Sequence, residues 1–236
     1  MAAGNVQWHE FGARADMVAS LQTAISERLL NGLLKNGKAS WAVSGGSTPA
    51  PLFEAMSQVG LDWSRIQVAL VDERWVNPDH PRSNEAFMKG ALKKGHSAKA
   101  RFIGMKTPHA TPQEAESAVN DRYRALSLPF DSILLGMGSD GHTASFFPCA
   151  EGLEEALDPA SSKVCAALTA QKSDVTGDEI TRMSLTASAI MGAGHVVLMI
   201  TGAAKKQVLE EALQASSCLP VGRLAQLVPF DIYWAP

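Results

Sequence analysis

Four short stretches of the chain are largely apolar without alternating: residues 40–44 (reaching back to 38), 66–71, 133–136 and 196–200. Runs of this length and continuity predict strands covered on both faces, as in a parallel sheet. Between them the apolar period lengthens to that of a helix. Residues 13–34 place Met17, Val18, Leu21, Ile25, Leu29, Leu30, Leu33 and Leu34 largely on one stripe. Further helices are predicted over 49–59, 111–126 and 203–215. The second of these opens Thr-Pro-Gln-Glu, with a cap at Thr111 and proline at the first helical position. Segments 6–11 and 230–235 are expected to add edge strands. Strands alternating with helices predict an α/β fold with an open, mostly parallel sheet. No internal repeat, low-complexity tract or linker interrupts the pattern, so residues 1–236 are expected to form one domain.

In an open α/β sheet, ligands bind outside the carboxyl ends of the strands. Each of the four strand exits carries suitable chemistry. The first is Ser44-Gly45-Gly46-Ser47-Thr48-Pro49, where glycines admit a ligand to the backbone and a helix start offers free N–H groups to an anion. A capped strand-to-helix turn would look the same. The second, from Asp72 to Asn84, sets Asp72, Glu73 and Arg74 directly after a buried run. They either pair with one another or aim Arg74 at a phosphate or an oxyanion. The third is Gly-Met-Gly-Ser-Asp-Gly-His, residues 136–142. It delivers His142 to the sheet mouth with Asp140 near enough to orient it, and histidine is the side chain that exchanges protons near neutral pH. The fourth, Thr201 to Lys206, places lysines in the first turn of a helix, where they are disfavoured unless an anion is present. Lys205 is the expected ligand contact and Lys206 a solvated neighbour. Arg182 is a further cation before a moderately apolar stretch. The remaining histidines read as surface or structural residues, and their spacing disfavours a histidine-rich metal site.

Composition changes this picture little. The chain has 236 residues, 46% hydrophobic and 19% charged, with a formal net charge of −3 and no run of five like charges. A basic face for nucleic acid and a polybasic membrane patch are therefore not expected. Three cysteines without a Cys-x-x-Cys spacing read as reduced thiols. The first residues show no secretory leader. The apolar runs fall short of the roughly 20 residues of a membrane span. A cytoplasmic protein is the expectation, with a monomer favoured.

The segments SGGSTP (44–49), DERWV (72–76), GMGSDGHTASFFP (136–148), RMSLT (182–186) and TGAAK (201–205) together resemble the motif set of the 6-phosphogluconolactonases, in the same order and across most of the chain. The resemblance implies a sheet related to that of the glucosamine-6-phosphate isomerases. It implies hydrolysis of 6-phospho-D-glucono-1,5-lactone to 6-phosphogluconate, in the oxidative pentose phosphate route or the Entner–Doudoroff route. The isomerases share the glycine loop and the Asp-Gly-His turn. They typically carry Asp-Glu-Tyr in the second loop and an acid before the proline of the third. Arg74 and Phe147 stand at those positions here.

Under that resemblance His142 is the general base, with Asp72 and Arg74 beside it in the chemistry. Gly45, Gly46, Ser47, Thr48, Arg74, Asp140, Arg182 and Lys205 would hold the substrate. Which of the three cations faces phosphate and which the lactone carbonyl is left open. No metal or organic cofactor is implied, because a lactone is already an activated ester. A sugar-phosphate isomerase or deaminase, and a sugar-phosphate sensor without turnover, are the rival readings.

Overall fold

A computed structural model describes residues 6–236. In chain order the elements are β1 (Gln7–Glu10), α1 (Arg14–Asn36), β2 (Ala39–Val43), α2 (Ala50–Ser57), β3 (Ile66–Leu70), β4 (Asp72–Arg74), α3 (Asn84–Leu92), β5 (Arg101–Ile103), α4 (Pro112–Arg124), β6 (Ser132–Leu135), α5 (Leu153–Ala156), β7 (Cys165–Thr169), β8 (Thr181–Leu185), α6 (Ala187–Met191), β9 (Val196–Thr201), α7 (Ala203–Ala212), α8 (Pro220–Leu227) and β10 (Asp231–Ala235). Seven strands form one sheet in the order β1-β10-β9-β6-β2-β3-β5, every neighbouring pair parallel. A second, antiparallel sheet runs β4-β8-β7. None of the helices described is long and apolar enough to cross a membrane.

The open parallel sheet expected from the apolar runs is present. β2, β6 and β9 are buried at nearly every position, as continuous apolar runs require. Segment 230–235 is not an edge, however: β10 lies between β1 and β9, and only β1 and β5 are outermost. On α1 the core face is Met17, Leu21, Ile25, Leu29 and Leu33. Fully burying each such side chain contributes about 2 kcal/mol. Leu30 and Leu34, expected on the same stripe, are 44% and 76% exposed. They continue the apolar period past the width of the contact. α4 starts as its sequence predicts, with a reciprocal box between Thr111 and Glu114 and Pro112 in the first turn.

The charged second exit is not a loop. β3 passes through Val71 straight into β4, so the chain leaves one sheet and enters the other within one residue. Val71 belongs to both sheets: its N–H donates to Val43 of β2 and its carbonyl accepts from Leu185 of β8. The buried Tyr123 hydroxyl, at the end of α4, sits 3.1 Å from both the N–H and the carbonyl of Leu70. The crossing is thus pinned from three elements.

Two strand neighbours, β2 and β6, meet where the chain order reverses, β3 and β5 lying to one side and β9 and β10 to the other. Their carboxyl ends open the crevice in which such sheets bind ligands.

Candidate active site

A cleft of about 260 Å³ occupies that crevice. One wall is the loop 44–49, which leaves β2 and enters α2. Among the described residues, the amides of Gly45, Gly46, Ser47 and Thr48 donate to no protein acceptor. The Ser44 hydroxyl is buried and likewise unpartnered. Free N–H groups at a helix start form a seat for an anion.

The opposite wall is one face of the antiparallel sheet. Side chains alternate along a strand, so Asp72 and Arg74 share a face while Glu73 points to the other. Across the ladder Asp72 is paired with Ser184 and Arg74 with Arg182. Two guanidinium groups therefore stand on directly opposed residues at the cleft. Among the described residues each leaves its buried Nε without a partner. Like charges opposed across a ladder are destabilising, an arrangement that an anion between them would relieve. Burial pushes the Arg182 guanidinium down to about 10, with Asp72 pulling the other way, so it remains a cation at neutral pH. Asp72 accepts from Ser145 Oγ at 2.7 Å and Asn84 Nδ2 at 3.3 Å. No ion pair joins Asp72, Glu73 and Arg74. The Glu73 carboxylate instead caps the start of α3, accepting from Ser83 Oγ and the amides of Asn84 and Glu85, besides that of Arg74.

The third exit brings His142 to the cleft. Its Nδ1 lies 2.6 Å from Asp140 Oδ1, and its ring stacks on Phe147 with centroids 4.0 Å apart. The carboxylate fixes which nitrogen stays free for proton exchange, and Phe147 fixes the ring plane. Burial works against the Asp140 charge, but the hydrogen bond and the charge of His142 outweigh it and hold the carboxyl below the usual range. A β-carbon at Gly138 would come within 2.2 Å of the imidazole, so the close approach of ring to loop requires glycine there. Asp140 is not among the residues lining the cleft; its Oδ1 accepts from the His142 amide and faces the imidazole Nδ1.

At the fourth exit Lys205 lines the cleft and donates to the Met137 carbonyl at 2.6 Å. Burial pushes its ammonium below the ordinary lysine range, with Asp140 opposing. Lys206 is not merely solvated. It pairs with Glu10 at 2.7 Å and lies over the rings of Trp8 and Trp234.

One cleft therefore gathers the glycine loop, Asp72, Arg74, His142, Arg182 and Lys205. Sequence reasoning missed Asn84, Ser145, Val175 and the role of Phe147, whose ring also lies 5.2 Å from the Arg182 guanidinium. For Phe147 a signal existed, since it replaces the isomerase acid. The others act through contacts between distant loops, which leave no local pattern.

The family model described as glucosamine-6-phosphate isomerases/6-phosphogluconolactonase matches residues 12–234. A 6-phosphogluconolactonase of Rhizobium meliloti is 39% identical over 97% of this chain and 98% of its own length. One from Pseudomonas aeruginosa is 37% identical over 96% and 93%. The crystal structure of a 6-phosphogluconolactonase from Shewanella baltica superposes with a TM-score of 0.92 at 31% identity, covering the whole of both chains.

Proposed function

The chain belongs to the glucosamine-6-phosphate isomerase/6-phosphogluconolactonase family, and on that premise we propose that it hydrolyses 6-phospho-D-glucono-1,5-lactone to 6-phospho-D-gluconate, a step of the oxidative pentose phosphate route. One observation carries the reading: an imidazole oriented by Asp140 shares a small cleft with three cations and a free-amide glycine loop. Proton exchange and anion binding then act on one molecule.

The phosphoryl group rests on the amides of residues 45–48 and on cations of the opposite wall. His142 takes a proton from water as the water oxygen attacks C1. The carbonyl becomes a tetrahedral oxyanion, stabilised by a cleft guanidinium or ammonium. As the intermediate collapses, the bond from C1 to the ring oxygen breaks and the imidazolium returns its proton to that oxygen. Asp140 holds the imidazolium that forms between the two steps. Asp72 steadies Ser145 and Asn84 and balances the two arginines electrostatically. Phe147 favours hydrolysis over the isomerase reading, because it puts a hydrocarbon ring against His142 where the isomerases carry an acid.

The test is purified protein added to freshly generated lactone, with acid release followed against the spontaneous rate. His142→Ala should lose about 10²–10⁴-fold in kcat while binding of 6-phosphogluconate survives. Undiminished turnover in that variant removes His142 from the mechanism. Ammonia release from glucosamine 6-phosphate would point to the isomerase side of the family. Binding without turnover would point to a sensor.

A further inference from the structure

Arg82 stands outside the cleft, yet both cleft arginines are tied to it. Its backbone carbonyl accepts from Arg74 Nη1. Its guanidinium donates from Nη2 to the Thr176 carbonyl at 3.0 Å, and the same carbonyl accepts from Arg182 Nη2 at 3.2 Å. Its Nε pairs with Glu179 at 2.7 Å. The guanidinium is pressed against Gly177, where a β-carbon would come within 2.5 Å of Nη1 and where φ is +66°.

Three guanidinium groups thus meet at one corner, and among the described residues only Glu179 is drawn against them there as an ion pair. No hydrogen bond or ion pair joins Arg182 to Asp72, which accepts from Ser145 and Asn84 and acts on the guanidinium through its charge alone. Arg182 is aimed by a neutral acceptor, the Thr176 carbonyl. That carbonyl sits on a turn built to be stiff. The buried Thr176 hydroxyl donates to Gln171 O at 2.9 Å and accepts from Ser173 N at 2.7 Å. The turn also carries Val175, which lines the cleft. The base of the turn is held by β7 and β8, where Ala170 N–H donates to the Ile180 carbonyl, and Arg82 ties its tip to the segment that follows β4 through Thr176 and Glu179.

We propose that Arg82 is a positioning residue: by clamping the Thr176 carbonyl it sets the aim of Arg182 and seats Val175 on the cleft. Its substrate rests on the lactonase reading; the coupling of Arg82 to Arg182 does not. A double-mutant cycle of Arg82→Gln and Arg182→Gln decides it, read in kcat and KM on fresh lactone and in calorimetric affinity for 6-phosphogluconate. Arg82→Gln should lose roughly tenfold in kcat/KM, the worth of a charged hydrogen bond. The loss should fall on the same parameter, kcat or KM, that Arg182→Gln moves. In the Arg182→Gln background the second change should cost less than about twofold, because the residue it aims is gone. Losses that multiply, or unaltered kinetics in Arg82→Gln, overturn the proposal, since a merely structural role would not track Arg182. If Arg82→Gln does not fold, Glu179→Gln takes its place in the cycle, with a loss of roughly threefold expected and the same two outcomes. If the wild-type protein leaves the lactone untouched, the functional reading falls alone. The cycle then stands or falls on affinity for 6-phosphogluconate and glucosamine 6-phosphate.

Discussion

Lys205 is held by a single carbonyl, half-buried, with its ammonium below the usual lysine range because burial disfavours the charge. The sign follows directly. A lowered value means that the proton leaves earlier as pH rises, and with it the attraction for a phosphoryl dianion. Affinity for 6-phosphogluconate should therefore decline on the alkaline side before an ordinary lysine, at about 10.4, would begin to titrate. Arg182, at about 10, adds its own loss on the same side. Calorimetric titrations at stepped pH measure the curve, and Lys205→Gln should bind more weakly at neutral pH and show a shallower decline. A decline that persists unchanged in the variant would assign it to another group. At this scale much was visible in the sequence. His142, Lys205 and the glycine loop follow buried runs directly, so a strand exit names them. Asp140 was visible too, and its Oδ1 lies against the His142 ring. Arg82 was invisible, because its importance lies in a carbonyl on a turn almost a hundred residues away.

Among the elements, the legible ones are long or fully buried. The central strands and α1, α2, α4 and α7 announce themselves by their apolar period, and α4 by its cap as well. The antiparallel sheet does not: β4 has three residues, and β7 and β8 carry arginine, threonine and serine among their apolar positions. β8 sets Arg182 on the cleft and Ser184 opposite Asp72, and those polar positions break the apolar run that would mark a strand. α3 is hidden for a related reason. Its local cap is a lone Ser83, which accepts from Ala86 N–H, and Glu73 from β4, ten residues away in the chain, holds both that cap and the first two amides of the helix. Glu73 is fully buried, and burial pushes its carboxyl up despite four donors. Glu73→Ala strands those donors and should cost about 3 kcal/mol of folding stability, read as a lowered urea midpoint. Because Asn84 in the first turn of α3 holds Asp72, turnover should fall as well. A cost under about 1 kcal/mol would mean that the helix start is held by something else.

For the molecule as a whole, the sheet class could be read from continuous apolar runs, but strand order could not. Nothing local distinguishes β10, inside the sheet, from β1 at its margin. Nor could the sequence tell that the acidic-basic triplet after β3 begins a second sheet. That crossing at Val71 carries a consequence of its own. The cleft needs Asp72 and Arg74 on one side of the ribbon and Glu73 on the other, and both sheets and Tyr123 grip the chain on either side of the switch. The distance between Leu70 and Asp72 therefore has a parity. One extra residue there should turn Glu73 toward the substrate and bury a guanidinium beneath α3, abolishing turnover in a protein whose circular dichroism still reports an α/β fold. Two extra residues should restore the facing and part of the activity. If the single insertion is harmless, the ribbon has absorbed it as a bulge. Gene-length variation at this point in the chain should then be tolerated, where the geometry demands that only even steps survive.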